Sequence, residues 1–246
     1  MGRTAWVASA LLVALLIAGG TAAWRYQATR PGSLSLRFEA MTSGEPLVLD
    51  EFRYANPGGT GRVRIRDVQF YLSNITLEGS SGDYVEPASY HLVRFDNAER
   101  AFTLVLNDVP RHDYQRISFS IGVDAAANAS LDAVGDLDPN GRMAWNWEVG
   151  YKFVLFEGTL QFDATETPLV YHVGFADNLA RLDFDAGTLF AARRDEQRVY
   201  RVDVMRLFGG NSPIDMAALP SVKFDRADAK RIAANFAAMI TAAPTP

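Results

Sequence analysis

The chain is 246 residues long, 48% of them hydrophobic and 22% charged, with a net charge of −5. That length suits one large β domain or two small ones, and the acidic balance gives no basic footprint for a nucleic-acid partner. Cysteine is absent, which excludes disulfide stapling, thiolate metal sites, cysteine nucleophiles and covalent c-type haem attachment.

Residues 5–24, AWVASALLVALLIAGGTAAW, carry no charge and follow Arg3. As a helix rising ~1.5 Å per residue they are long enough to cross a bilayer. Thr21-Ala22-Ala23 is a passable cleavage site, while Trp24 suits an interfacial anchor. A signal peptide and a transmembrane anchor over 1–24 both stay open. Either one exports the body to the periplasm, in the second case tethered to the bacterial inner membrane. Residues 25–33 are polar, contain Pro31-Gly32 and read as a linker.

The body, 34–208, is written in strand periods. Leu34-Ser35-Leu36-Arg37-Phe38 alternates apolar and polar residues, as a half-buried strand does. Further strand patterns lie at 62–77, 90–95, 102–106, 114–123, 151–156, 158–162, 169–173 and 198–207, separated by turns such as Asn56-Pro57-Gly58-Gly59 and Ser80-Ser81-Gly82-Asp83. This spacing predicts an all-β fold: an antiparallel β-sandwich with an N-terminal hydrophobic helix and a short C-terminal helix. The C-terminal extension, 209–246, holds that helix over 226–240. Asp225 is its N-cap, and Ile232, Phe236 and Met239/Ile240 fall at helical steps that would pack on the sandwich.

Between two of these strands lies the most chemically loaded stretch, 136–158. It opens on Asp136-Leu137-Asp138-Pro139-Asn140-Gly141 and then places Met143, Trp145 and Trp147 at alternate positions, one face of a strand. Two tryptophans and a thioether on one face make a soft, oxidisable surface, or else an aromatic belt of the core. The Asp136, Asp138, Asn140 spacing resembles the start of a calcium loop, and Gly141 fits its sixth position. Trp147 stands where the bidentate acid should be, so an Asx turn is the simpler reading. The histidines are His91, His112 and His172. His91 and His172 each follow a tyrosine in a strand, and two neutral imidazoles from different strands are a common way to hold a soft or borderline metal. His112 sits in a turn and is given no role. No nucleophile elbow, P-loop, zinc-protease helix or dinucleotide fingerprint is present, so nothing in the sequence marks an enzyme.

The Met143-x-Trp145-x-Trp147-x-x-Gly150-Tyr151-x-Phe153 pattern, followed by Glu157-Gly158, resembles the MbnP-like, methanobactin-associated family of periplasmic copper-binding proteins. Gln69 to Asn74, Tyr90 to Val93, Ser118 to Asp124 and Tyr171 to Gly174 agree with that family in order, so the resemblance covers roughly 34–205. It implies a Cu(I) site with histidines, carried onto His91 and His172. It also implies a tryptophan, Trp145 or Trp147, oxidised to kynurenine by a di-haem cytochrome c peroxidase-like partner. Met143 would add a thioether, a soft ligand suited to Cu(I). Relatives often carry a histidine in the first strand; here Leu36-Arg37-Phe38-Glu39-Ala40-Met41 has none, and Glu39 or Met41 stands in its place. Three functions follow from these readings. The chain is a copper-binding accessory protein and the substrate of its oxidative partner, a β-sandwich interaction module without metal, or an electron-relay partner of the haem enzyme.

Overall fold

The computed structural model describes residues 30–130, 133–146, 150–190, 195–210 and 213–244. The expected hydrophobic helix at 5–24 lies outside these residues. Among the described residues no helix is long and apolar enough to cross a membrane.

The strands run β1 (Gly32–Thr42), β2 (Glu45–Pro46), β3 (Phe52–Ala55), β4 (Arg62–Gly79), β5 (Tyr84–Val85), β6 (Tyr90–Arg94), β7 (Ala101–Val109), β8 (Tyr114–Ile121), β9 (Ala144–Asn146) and β10 (Gly150–Phe162). They continue as β11 (Thr165–Gly174), β12 (Ala180–Leu189), β13 (Glu196–Asp203), β14 (Ser221–Val222) and β15 (Ile240–Ala242). The smaller sheet has the order β15-β13-β1-β2, with β7 also on β1. The larger has the order β12-β8-β4-β10-β11-β14, with β3, β5 and β6 on β4 and β9 on β10.

Alternation decides which face each strand buries. Along β1, Leu34, Leu36, Phe38 and Ala40 point inward and are buried. Phe38 meets Phe119 of β8 at 5.6 Å, and Tyr200 of β13 meets Phe184 of β12 at 4.9 Å. These edge-to-face aromatic contacts join the two sheets into a sandwich.

The sheets are mixed rather than purely antiparallel. β1 runs parallel to β13, and β11 runs parallel to β14. A parallel pair needs a crossover connection rather than a hairpin. For β1 and β13, that crossover includes every strand of the larger sheet except β14, which follows β13 in the chain. The patterns at 151–156 and 158–162 are one strand, β10, with a register shift between Glu157 and Gly158. A Cβ on Gly158 would lie 2.3 Å from the Arg64 carbonyl oxygen, so only glycine allows the two backbones to approach this closely.

The segment after residue 208 contributes strands to both sheets. Its helix is shorter than the sequence implies: α2 covers Arg226–Ala233 and α3 covers Phe236–Met239, while α1 is the short turn Ala125–Asn128. Asp225 caps α2 as expected, accepting from the Asp228 N–H at 2.8 Å. Asn235 breaks the run between α2 and α3 because its side-chain amide donates to the Leu207 carbonyl at 2.9 Å. The next residues become β15, antiparallel to β13.

Candidate functional site

The long connection from β8 to β10 crosses the face of the larger sheet turned away from the smaller one. Two tyrosines hold it down. Tyr71 of β4 donates to the Asp136 carbonyl at 2.7 Å, and Tyr151 of β10 donates to the Leu137 carbonyl at 2.6 Å. A carboxylate oxygen of Asp136 accepts from the Leu92 N–H at 2.7 Å. Asp138 accepts from both the backbone and side-chain nitrogens of Asn140, at 2.8 and 2.9 Å. The acidic run is therefore an Asx turn whose carboxylates serve the backbone.

Between this connection and the sheet lies a polar hub centred on Glu157 of β10. Its Oε2 accepts from Arg66 at 2.6 Å and Arg142 at 2.7 Å, and its Oε1 faces His172 Nε2 at 3.0 Å. Arg142 also pairs with Asp67, and the Lys152 ammonium donates to the Arg142 carbonyl at 2.5 Å. Burial disfavours the charge on Glu157, but the His172, Arg66 and Arg142 contacts outweigh it and bring its pKa down to about 2. Burial lowers the pKa of His172, with Glu157 opposing and the Lys152 and Lys223 charges adding to the decrease. Burial and the neighbouring Arg142 lower the pKa of Lys152 as well. A neutral imidazole facing an ionised carboxylate through Nε2 carries its proton there. Nδ1 is left as the lone-pair nitrogen, an arrangement in which a carboxylate orients a metal-ligating histidine.

Trp145 reaches the same face. Its strand, β9, pairs with the start of β10, and its six-membered ring covers Gly174: a Cβ there would lie 2.7 Å from the ring and 2.4 Å from the Tyr151 carbonyl oxygen. Gly174 is two residues beyond His172 on β11, so both look to one side of the sheet. The Trp145 ring packs on Phe175 at 5.5 Å and Phe224 at 5.4 Å, and the Arg226 guanidinium lies 4.3 Å from the Phe175 centroid. Phe175 holds this position with φ +72° and ψ 131°, a backbone strain sustained by the surrounding packing. Met143 is buried, and its carbonyl accepts from the Lys152 N–H at 2.7 Å. It lies directly before β9. Trp147 lies outside the described residues.

The structure does not gather the whole expected ligand set. His172 pairs in register with Leu155, Leu155 with Gln69, and His91 with Leu72. Gln69 and Leu72 are three residues apart on β4, so the two histidines face opposite sides of the larger sheet. His91 has its own partner, Glu86, at 2.9 Å, and Glu86 also accepts from Ser89. Glu39 lies on the outward row of β1 in the other sheet, paired with Arg37 at 3.0 Å. Among the described residues no three of His, Asp or Glu stand together as a ready-made metal set. Arg66, Arg142, Lys152 and Glu157 were invisible as site residues in the sequence. The one available signal was two charged residues, Lys152 and Glu157, inside an otherwise apolar strand.

Two packed sheets, with a half-buried histidine–carboxylate hub beside a tryptophan on the outer face of the larger one, define a β-sandwich protein with a polar site on that face. The chain belongs to the MbnP family, whose family model matches residues 31–224. Among solved structures it is similar to MbnP from Methylosinus trichosporium, with a TM-score of 0.55 and 19% identity over 88% of this chain and 100% of that one. At that identity the likeness shows the fold. No curated protein matches the chain.

Proposed function

We propose that this protein is an exported, copper-linked accessory protein that holds Cu(I) on the outer face of its larger sheet. It acts as a substrate rather than a catalyst: Trp145 is the residue that a di-haem cytochrome c peroxidase-like partner oxidises towards kynurenine. The observation that carries this reading is the placement of Trp145 over Gly174, on the side of β11 to which His172 points. His172 supplies an imidazole nitrogen oriented by Glu157. Opening the indole of Trp145 creates an aryl amine and carbonyl groups where no metal donor existed, and Met143 is the thioether nearest in sequence. Low-coordinate Cu(I) suits such nitrogen and sulfur donors. Residues 5–24 keep the body in the periplasm, free or tethered to the inner membrane. His91, on the opposite face, is left out of the set.

The test is copper content and peptide mapping over 143–152 on protein from its native host. Wild type is expected to show copper together with the mass gain of indole opening at Trp145. His172→Ala is expected to lose most of the copper, and His91→Ala to keep it. Unmodified tryptophans without metal would overturn the proposal.

One observation favours a second reading, a docking module without metal. Phe224 is 60% exposed and packs at a tilt against Trp145, with Lys223 and Arg226 close by in the chain. Exposed aromatics next to cations are common at protein–protein contacts. On that reading Trp145→Phe changes partner affinity while metal content stays at background, and the electron-relay variant adds partner-dependent oxidation of Trp145.

A further inference from the structure

Where the sheets end, the last residues of β1, strand β3, the start of β4 and the turn after β13 line an open cavity of about 620 Å³ that shares no lining residue with the hub. Its apolar lining is Tyr54, Ala55, Pro57 and Met205. The Tyr54 hydroxyl is turned away, donating to the Val48 carbonyl and accepting from the Val48 N–H, so only its ring faces the space.

Charge in the cavity has a small cationic excess, three arginines against two carboxylates. Arg53, Arg62 and Arg206 line it. Arg62 is oriented by a bond to the Arg53 carbonyl at 3.1 Å, and among the described residues neither Arg53 nor Arg62 is paired with a carboxylate. The two carboxylates of the lining are Asp203 and Glu45. Asp203 is already satisfied by the Ser43 N–H at 3.1 Å, the Met205 N–H at 3.3 Å and Arg206 at 3.8 Å. Glu45 sits exposed on β2.

A second, independent observation comes from Thr42. It is the last member of the inward row Leu34, Leu36, Phe38, Ala40, and it lines this cavity. It is 4% exposed, and its hydroxyl has no hydrogen-bond partner. Buried hydroxyls are normally satisfied, and one that is not marks a place where a partner belongs.

We propose that this cavity binds a small organic polycarboxylate. Arg53 and Arg62 hold its carboxylates as charge-assisted, fork-shaped donors, Thr42 donates to one carboxylate oxygen, and the carbon body lies on Tyr54 and Met205. An inorganic oxyanion would meet the guanidiniums but leave the apolar wall unused. The volume falls in the range of ~300–1,000 Å³ typical of small-molecule sites.

The experiment is calorimetric titration of the full chain with benzene-1,3,5-tricarboxylate and, separately, with inorganic phosphate. Saturable binding of the tricarboxylate is expected, weakened at least about tenfold in Arg53→Gln/Arg62→Gln by loss of two charge-assisted contacts. It should be weakened several-fold in Thr42→Val, which keeps the volume and removes only the hydroxyl. Arg116→Gln, at a surface ion pair elsewhere on the larger sheet, should bind as wild type. Thermal melts of each variant separate loss of binding from loss of fold. No saturable binding, equal affinity in the double variant, or phosphate binding as tightly as the tricarboxylate would each overturn the proposal.

Discussion

Glu157 shows how one residue sets the protonation of a site. It has only 8% exposure, yet three donors keep it ionised with a pKa of about 2. In the unfolded chain its pKa returns to ~4.3. A carboxyl depressed on folding stabilises the fold above its unfolded pKa, and that contribution is lost as pH falls towards the folded value. His172 acts in the same direction at higher pH. Its folded pKa lies below the ordinary ~6.5, so acidification through 6.5 charges the unfolded histidine first and weakens the fold. Melting temperature should therefore fall in two stages, below about pH 6.5 and again below about pH 4.3. Glu157→Gln should flatten the lower stage and destabilise the protein at pH 7 by on the order of 2 kcal/mol. Melts across this range check both signs; a Glu157→Gln profile parallel to wild type would remove Glu157 as the source.

At the scale of elements, alternation made most of the strands legible. β1, β4, β6, β7, β8, β11 and β13 fall where apolar and polar residues alternate in the sequence. β12 was missed although Leu182 and Phe184 alternate with Arg181, Asp183 and Asp185, because three charges in five residues look like a loop. The parallel pairings were not legible, since alternation carries no information on strand direction. The connection over the outer face was legible only in part. Met143, Trp145 and Trp147 have strand spacing, and Trp145 does lie in β9, while Trp147 is outside the described residues. The long-range bonds from Tyr71 and Tyr151 that hold the connection leave no mark in that spacing. Burial raises the pKa of the Tyr71 hydroxyl well above its ordinary value, so it stays protonated and serves as a donor. Tyr71→Phe removes the bond to the Asp136 carbonyl while keeping the buried ring. The loss should be about 1 kcal/mol, and amide exchange over 135–141 should accelerate while the β4 core keeps its protection. Uniform acceleration across β4 would show that the tyrosine supports the sheet rather than the connection.

Across the whole molecule, the sandwich was legible because its core is apolar at period two. The site was less so. His172 and Trp145 do share a face, but His91 diverges by the parity of a three-residue step on β4, which depends on register and cannot be read from spacing. The extent of the folding unit is also larger than the family match, which ends at residue 224. Beyond it, Ile232, Phe236 and Met239 have no solvent exposure, and β15 supplies an edge to β13. Each such side chain contributes ~1.5–3 kcal/mol of burial, so the three together amount to roughly 6 kcal/mol. A domain's total stability is about 5–15 kcal/mol. A chain ending at residue 224 should therefore be unfolded or strongly destabilised, with Phe208 and the β13 edge laid open. Circular dichroism melts of the truncated and full-length bodies decide it. A truncated body melting within a few degrees of full length would mean that the last helices cover the sandwich without holding it together. Restoring residues 225–244 should recover the transition, while Phe236→Ala in the intact chain should cost about 3–5 kcal/mol as a large-to-small core substitution.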